Sequence, residues 1–230
     1  MRKKIFYLII LMMLCCGLFA FINDAYSGEE ITYKVEMGIM SLGRCVLKHL
    51  RAEEVNGIKA NVLLFQTDLV NFHDTERIYL DQESSLPVRV TRKISGFSDE
   101  QITEDYNQKD FTVTISKKTK DQVTTSVLKR TAPVHNPIAL PFYLRSIKEL
   151  SPAWQFTACL PLMDFTLKLT GIEKIRVPAG TFQAYRFESV PRKIKIWITT
   201  DKLRIPVKIV GSGVFGYTML MLSYKDSREK

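Results

Sequence analysis

The feature that most constrains this chain is a hydrophobic period of two. Ile31, Tyr33, Val35, Met37 and Ile39 alternate with Thr32, Lys34, Glu36 and Gly38, and Phe111, Val113 and Ile115 alternate with Thr112, Thr114 and Ser116. Ile194, Ile196 and Ile198 repeat the pattern around Lys193 and Lys195. Successive side chains of a strand point to opposite faces, so each run carries one apolar and one largely polar face. That is the mark of an antiparallel sheet covered on one side. Further strands are expected near 43–54, 58–69, 75–81, 86–94, 122–130, 165–177, 182–190, 205–210 and 214–224, spacings that suit a barrel or sandwich.

Turn chemistry separates the runs. Val55-Asn56-Gly57 divides two strands, and Val177-Pro178-Ala179-Gly180 reads as a tight hairpin turn with proline presetting φ. One local design occurs twice. Tyr79-Leu80-Asp81 leads into Leu86-Pro87-Val88-Arg89-Val90, and Trp197-Ile198-Thr199 leads into Ile205-Pro206-Val207-Lys208-Ile209. Proline lacks an N–H, so it suits a strand's first position or an edge. Two similarly built hairpins in one curved sheet are expected.

A single segment breaks the β rhythm. Asn136 and Pro137 are helix-start signals, and Ile138, Leu140, Phe142, Tyr143, Leu144, Ile147 and Leu150 follow in helical spacing. Pro141 is awkward inside a helix and moves the expected start to about Leu140; Pro152 ends the segment. A short apolar helix among many strands is expected to pack against the sheet's concave side. The fold class is therefore mainly β: a strongly curved antiparallel sheet or half-barrel with one short packed helix.

The N-terminus is of another kind. Arg2, Lys3 and Lys4 precede an uncharged apolar run from Ile5 to Ile22, and Ala25-Tyr26-Ser27 offers small residues at the two positions a signal peptidase reads. Residues 1–27 read as a secretory signal, with Gly28 as the new N-terminus and 28–230 as one β-rich domain. The run is longer than a usual signal core and just long enough to span a bilayer, so an uncleaved anchor stays open. Acylation at Cys15 or Cys16 is a third reading, although Leu14 and Cys15 are poor choices for the small residue wanted before it. All three place the folded part outside the cytoplasm, in the periplasm or cell envelope of a bacterium.

Losing Arg2, Lys3, Lys4 and Asp24 would lower the net charge from +9 to +7. Outside the cytoplasm nucleic acid is not an expected partner. Anionic lipid head groups or envelope polymers fit the charge, and so does a merely lysine-rich solvated surface. Cys45 and Cys159 would be the remaining cysteines, too far apart for a CxxC motif and too few for a disulfide framework; an oxidising compartment permits one bridge between them, and Cys45 equally fits a small buried hydrophobe.

Catalytic chemistry finds no positive support. His49, His73 and His135 are dispersed, and neither HxxxH nor HExxH is present. His73-Asp74 with Glu76 is the best local metal candidate, but alternation puts His73 and Asp74 on opposite faces. Gly211-Ser212-Gly213 lacks the GxSxG spacing of a nucleophile elbow. Glu100, Glu104 and Asp105 lie in a polar segment read as solvated. No phosphate-cradling GxxxxGK or GxGxxG occurs, and no cofactor is indicated.

Several stretches together resemble the DUF3108 family of exported bacterial proteins, whose function is unassigned. They are Ile31-Thr32-Tyr33 through Gly38-Ile39, the proline-led helix with Tyr143-Leu144-Arg145, Val177-Pro178-Ala179-Gly180-Thr181-Phe182, and Trp197-Ile198-Thr199 through Asp201 to Ile205-Pro206-Val207. The resemblance implies an architecture similar to the LolA/LolB lipoprotein carriers, a curved antiparallel sheet around helical elements. It implies no catalytic residues, and fold alone does not fix function.

The apolar inventory suggests binding. Trp154, Phe156, Leu160, Leu162, Met163 and Phe165 crowd one segment, and Met219, Leu220, Met221 and Leu222 are consecutive. Methionine adapts to irregular apolar surfaces. The expectation is a non-enzymatic envelope protein that binds or carries an apolar or amphiphilic, lipid-like molecule, lined by Phe142, Tyr143, Trp154, Met219 and Met221. The alternative is a scaffold or assembly factor that engages another envelope protein or an anionic polymer. Its basic face would combine Lys117, Lys118 and Lys120 with Arg192, Lys193 and Lys195. Membrane contact would come only through the N-terminal segment or surface association.

Overall fold

The computed structural model describes residues 26–96, 99–212 and 216–227. The basic and apolar start, Cys15 and Cys16, and Gly213 of the glycine-serine bend therefore lie outside the described residues.

Among the described residues, fourteen strands form one antiparallel sheet. The first half comprises β1 (Glu29–Met37), β2 (Met40–Val55), β3 (Ile58–Leu69), β4 (Phe72–Asp81), β5 (Pro87–Gly96), β6 (Glu100–Asn107), β7 (Thr112–Lys118) and β8 (Val123–Lys129). After helix α1 (Leu140–Ser146) come β9 (Gln155–Cys159), β10 (Asp164–Val177), β11 (Gly180–Val190), β12 (Ile194–Thr199), β13 (Pro206–Gly211) and β14 (Tyr217–Asp226). Chain neighbours pair except β8 and β9, which form the sheet's two edges, and β1 pairs with β14. The sheet is not closed into a barrel, and the segment joining β8 to β9 spans the gap. There the Gln108 side chain donates to the Val134 and Pro87 carbonyls at 2.9 Å, and the His135 N–H donates to the Cys159 carbonyl at 2.7 Å.

Alternation sets the inner face. In β1, Ile31, Tyr33 and Val35 are buried while Thr32, Lys34 and Glu36 are half-exposed. The run ends earlier than its pattern suggests, because Ile39 sits fully exposed in the β1–β2 turn beside Gly38 at φ 59°. Asn56 and Gly57 both take positive φ, as a two-residue hairpin with the right twist requires. Val177 pairs with Gly180 across Pro178-Ala179 as expected.

The twice-used design is real down to its register. Leu80 opposes Pro87 after a bulge at Tyr79, and Ile198 opposes Pro206 after a bulge at Trp197. Each connection turns on an aspartate whose Oδ1 accepts backbone N–H groups, Asp81 from Ser84 at 2.7 Å and Asp201 from Leu203 and Arg204 at 3.0 Å.

Asn136 Oδ1 caps the turn before α1, accepting the Ile138 and Ala139 N–H groups at 2.8 and 3.1 Å. The helix itself begins at Leu140, with Pro141 in its first turn, where a missing N–H costs nothing. Leu140, Phe142 and Leu144 are buried in the core formed by the sheet's concave face. Arg145 enters the same core and forks onto Glu29, its Nη1 and Nη2 at 2.6 and 2.7 Å from the carboxylate oxygens. Nη2 also donates to the Leu203 carbonyl at 2.9 Å, and the guanidinium lies 4.0 Å from the Tyr26 ring centroid. Both charged groups are sealed from water, so their mutual hydrogen bonds are what makes the burial tolerable. Arg204 closes the helix's other end by donating to the Ile147 and Lys148 carbonyls.

Candidate functional site

The concave face encloses two adjoining cavities. One, of about 430 Å³, lies against the helix and is walled chiefly by Tyr33, Val35, Leu47, Phe65, Phe142 and Met219. The other, of about 590 Å³, extends toward Tyr106, Ile115, Leu160 and Phe165. Glu76, Arg92, Pro137, Ile194 and Tyr217 face both. Glu76 and Ile194 come from β4 and β12, far apart in the sheet order, so the sheet must curl for them to share a wall.

Polar groups gather at the junction. Glu76 and Arg92 are direct cross-strand partners on β4 and β5. Arg92 Nε donates to both oxygens of Asp74, at 3.0 and 2.9 Å, and its Nη2 reaches Oδ2 at 2.5 Å. Glu76 is left with the Asn136 amide, which donates to Oε1 at 3.2 Å, and with Arg92 Nε at 3.8 Å from Oε2. The Tyr106 hydroxyl donates to Glu104 Oε2 at 2.5 Å. Burial pushes the Glu76 carboxyl up to about 7; Asn136 and Arg92 oppose that rise, and the charges of Glu104 and Asp74 add to it. Burial, reinforced by Glu104, also raises the Tyr106 phenol, and the Arg92 guanidinium is held above its usual range first by its bond to Asp74.

The duplicated hairpin gives an internal comparison. Four residues before Leu80 stands Glu76, and four before Ile198 stands Ile194. The cross-strand partner of Glu76 is Arg92, whereas that of Ile194 is Gly211. The same architecture is thus built once with a charged pair and once with an apolar residue and a glycine. At Gly211 a Cβ would fall 2.3 Å from the Tyr217 ring, so glycine is what lets that ring lie across the cavity wall.

The expected lining residues separate into two groups. Phe142 and Met219 line the cavity against the helix. Tyr143 instead packs 4.8 Å from Phe156 and 5.1 Å from His135, and Trp154 stands edge-on to Phe187 at 5.4 Å. Met221 is buried in the core. The polar junction was not anticipated as a site. Its signal was present, since Asp74 and Glu76 fall in phase with Ile78 and Leu80, and Arg92 with Val88 and Val90.

Other chemical candidates take ordinary places. Exposed His73 pairs with Asp68 at 2.7 Å, and Asp74 points to the opposite face. Glu100 pairs with Lys117 and Asp105 with Arg89, whereas Glu104 faces the larger cavity rather than solvent. The Ser212 N–H donates to the Lys193 carbonyl at 2.7 Å. Cys45 and Cys159 are buried free thiols, and burial raises Cys45, in the cavity wall, to about 11. Among the described residues no group of three or more His, Cys, Asp and Glu side chains could hold a metal ion, and no helix is long and apolar enough to cross a membrane.

The family model for DUF3108, a protein of unknown function, matches residues 32–222. No curated protein matches the chain by sequence. Among solved structures, the beta-barrel-like protein of the domain of unknown function DUF1849 from Brucella abortus is similar in fold. It has a TM-score of 0.55 at 12% identity, covering 86% of this chain and 96% of that one. A candidate lipoprotein from Parabacteroides distasonis aligns over 86% of this chain and 95% of its own at 10% identity, but its TM-score of 0.32 carries no argument.

Proposed function

Because the chain belongs to the DUF3108 family, which has no assigned activity, we propose a function from the cavity: this protein binds an apolar or amphiphilic molecule inside its curved sheet. The observation that carries the reading is the pair of adjoining cavities of about 430 and 590 Å³ with largely hydrocarbon walls. Pockets of roughly 300–1,000 Å³ with apolar walls and a few placed polar groups are the usual form of a small-molecule site. Phe142 and Met219 contribute wall directly. The reading is non-enzymatic: among the described residues, the polar groups at the junction bond one another.

The proposed location is the bacterial envelope, supported by the basic start, apolar run and small-x-small exit of residues 1–27. Removal of that segment would leave Gly28 first, where its nitrogen already donates to the His49 carbonyl at 2.8 Å. Apolar cargo needs a shield from water between membranes, and a half-barrel interior provides one.

Titration of the full-length protein with the neutral fluorophore N-phenyl-1-naphthylamine tests the reading. The wild type should enhance its emission saturably. Leu69→Trp, which adds an indole to the half-exposed wall of the smaller cavity, should lower affinity by about tenfold or more. Equal binding by both proteins, or none by either, would overturn the proposal.

A further inference from the structure

The cavity walls differ in chemistry from one end to the other. Beside Phe142, Leu47 and Met219 the lining is hydrocarbon, and at the junction it is carboxylate, guanidinium, amide and phenol. The fold does not require those charges, because the matching pair in the second hairpin is Ile194 and Gly211. Charged side chains facing an apolar space are costly unless fully paired. Here the pairing is uneven. Asp74 takes up Arg92 with both oxygens, so among the described residues Glu76 and Glu104 face the larger cavity with only an amide, a phenol and a distant guanidinium for company. Lys193 adds a charge at the cavity's exposed rim, where solvent and salt screen it.

Resting on the binding reading above, we infer that the cavity selects its amphiphile by head group: a cationic amine head seats between Glu76 and Glu104, with the tail running toward Phe142 and Met219. The ammonium supplies donors to carboxylate oxygens that have few, in a site where charge-assisted hydrogen bonds are strong. A carboxylate or phosphate head in the same place meets two like charges, and the Arg92 guanidinium is already engaged by Asp74. The Glu76–Arg92 strand pair is thus a specificity device laid over a wall that the second hairpin builds from carbon.

Three probes with one saturated twelve-carbon chain separate head from tail: dodecylamine, dodecanol and dodecanoate, each displacing N-phenyl-1-naphthylamine from the full-length protein at pH 8. The amine should bind at least about tenfold more tightly than the carboxylate, with the alcohol between them. Combining Glu76→Gln with Glu104→Gln should bring amine and carboxylate to within about threefold of each other. If that variant fails to fold by circular dichroism, Glu104→Gln alone, at a half-buried position, should still narrow the gap. Equal affinities for the three probes, or preference for the carboxylate, would overturn the head-group inference and leave the binding reading standing. Displacement by none of them would overturn both.

Discussion

Replacing Glu76 by glutamine should stabilise the protein at alkaline pH and leave it nearly unchanged at acid pH. The carboxyl is buried and its proton affinity is raised from the ordinary 4.5 to about 7. Between those values the folded state holds a proton that the unfolded chain has released, so stability falls as pH rises from about 4.5 to 7. Above 7 the whole penalty stands. A rise of that size is worth about 3 kcal/mol, as a ceiling. Glutamine keeps an oxygen for the Asn136 amide and never ionises, so its advantage should grow from near zero at pH 4.5 to at most about 3 kcal/mol at pH 8. For a domain of this size that corresponds to roughly 6–12 °C in melting temperature. Urea unfolding followed by tryptophan fluorescence at pH 5 and pH 8 reads the difference. The same gain at both values would refute the burial argument. A loss confined to pH 8 would show that the ionised carboxylate is stabilised by Arg92 after all.

His135 should give the opposite slope: burial lowers it from 6.5 to about 4, so stability is lost as pH falls through that window, and His135→Phe should abolish a loss of about 3 kcal/mol at most. Urea midpoints between pH 4 and 7 check this, and an unchanged acid limb would contradict it. Removing one member of the buried Glu29–Arg145 pair, by Glu29→Ala or Arg145→Ala, should cost about 3–5 kcal/mol. The double variant Glu29→Leu/Arg145→Met should cost far less than the two single losses together, and strict additivity in equilibrium unfolding would show that the pair is not coupled.

Much of the fold was legible because the period-two signal is a direct consequence of one-sided burial. The hairpins at Asn56-Gly57 and Pro178-Ala179, the proline-led starts of β5 and β13 and the helix start at Leu140 all follow from local backbone chemistry. Two strands escaped that reading. β6 is polar on its inner face at Glu104, and β9 alternates Gln155 and Thr157 with Phe156 and Ala158 over a run too short to stand out between Pro152 and Pro161. The candidate site was half legible. Phe142 and Met219 were accessible from their apolar runs. Glu104 reads as solvated because charge normally marks the solvent face, Glu76 enters only beside His73 and Asp74 as a metal candidate, and Arg92 carries no motif; only their strand phase betrays that they point inward. Tyr143 and Trp154 could not be told from lining residues, since a core aromatic cluster and a ligand wall share one composition.

The proposed binding role requires a molecule in the half-barrel's interior. Native mass spectrometry of the full-length protein, purified in gentle detergent from its own cell envelope and followed by solvent extraction, tests it most directly. A reproducible adduct of one amphiphilic molecule per chain, lost in the Leu69→Trp variant, is the predicted result. An unliganded mass from an intact fold, in wild type and variant alike, would contradict it.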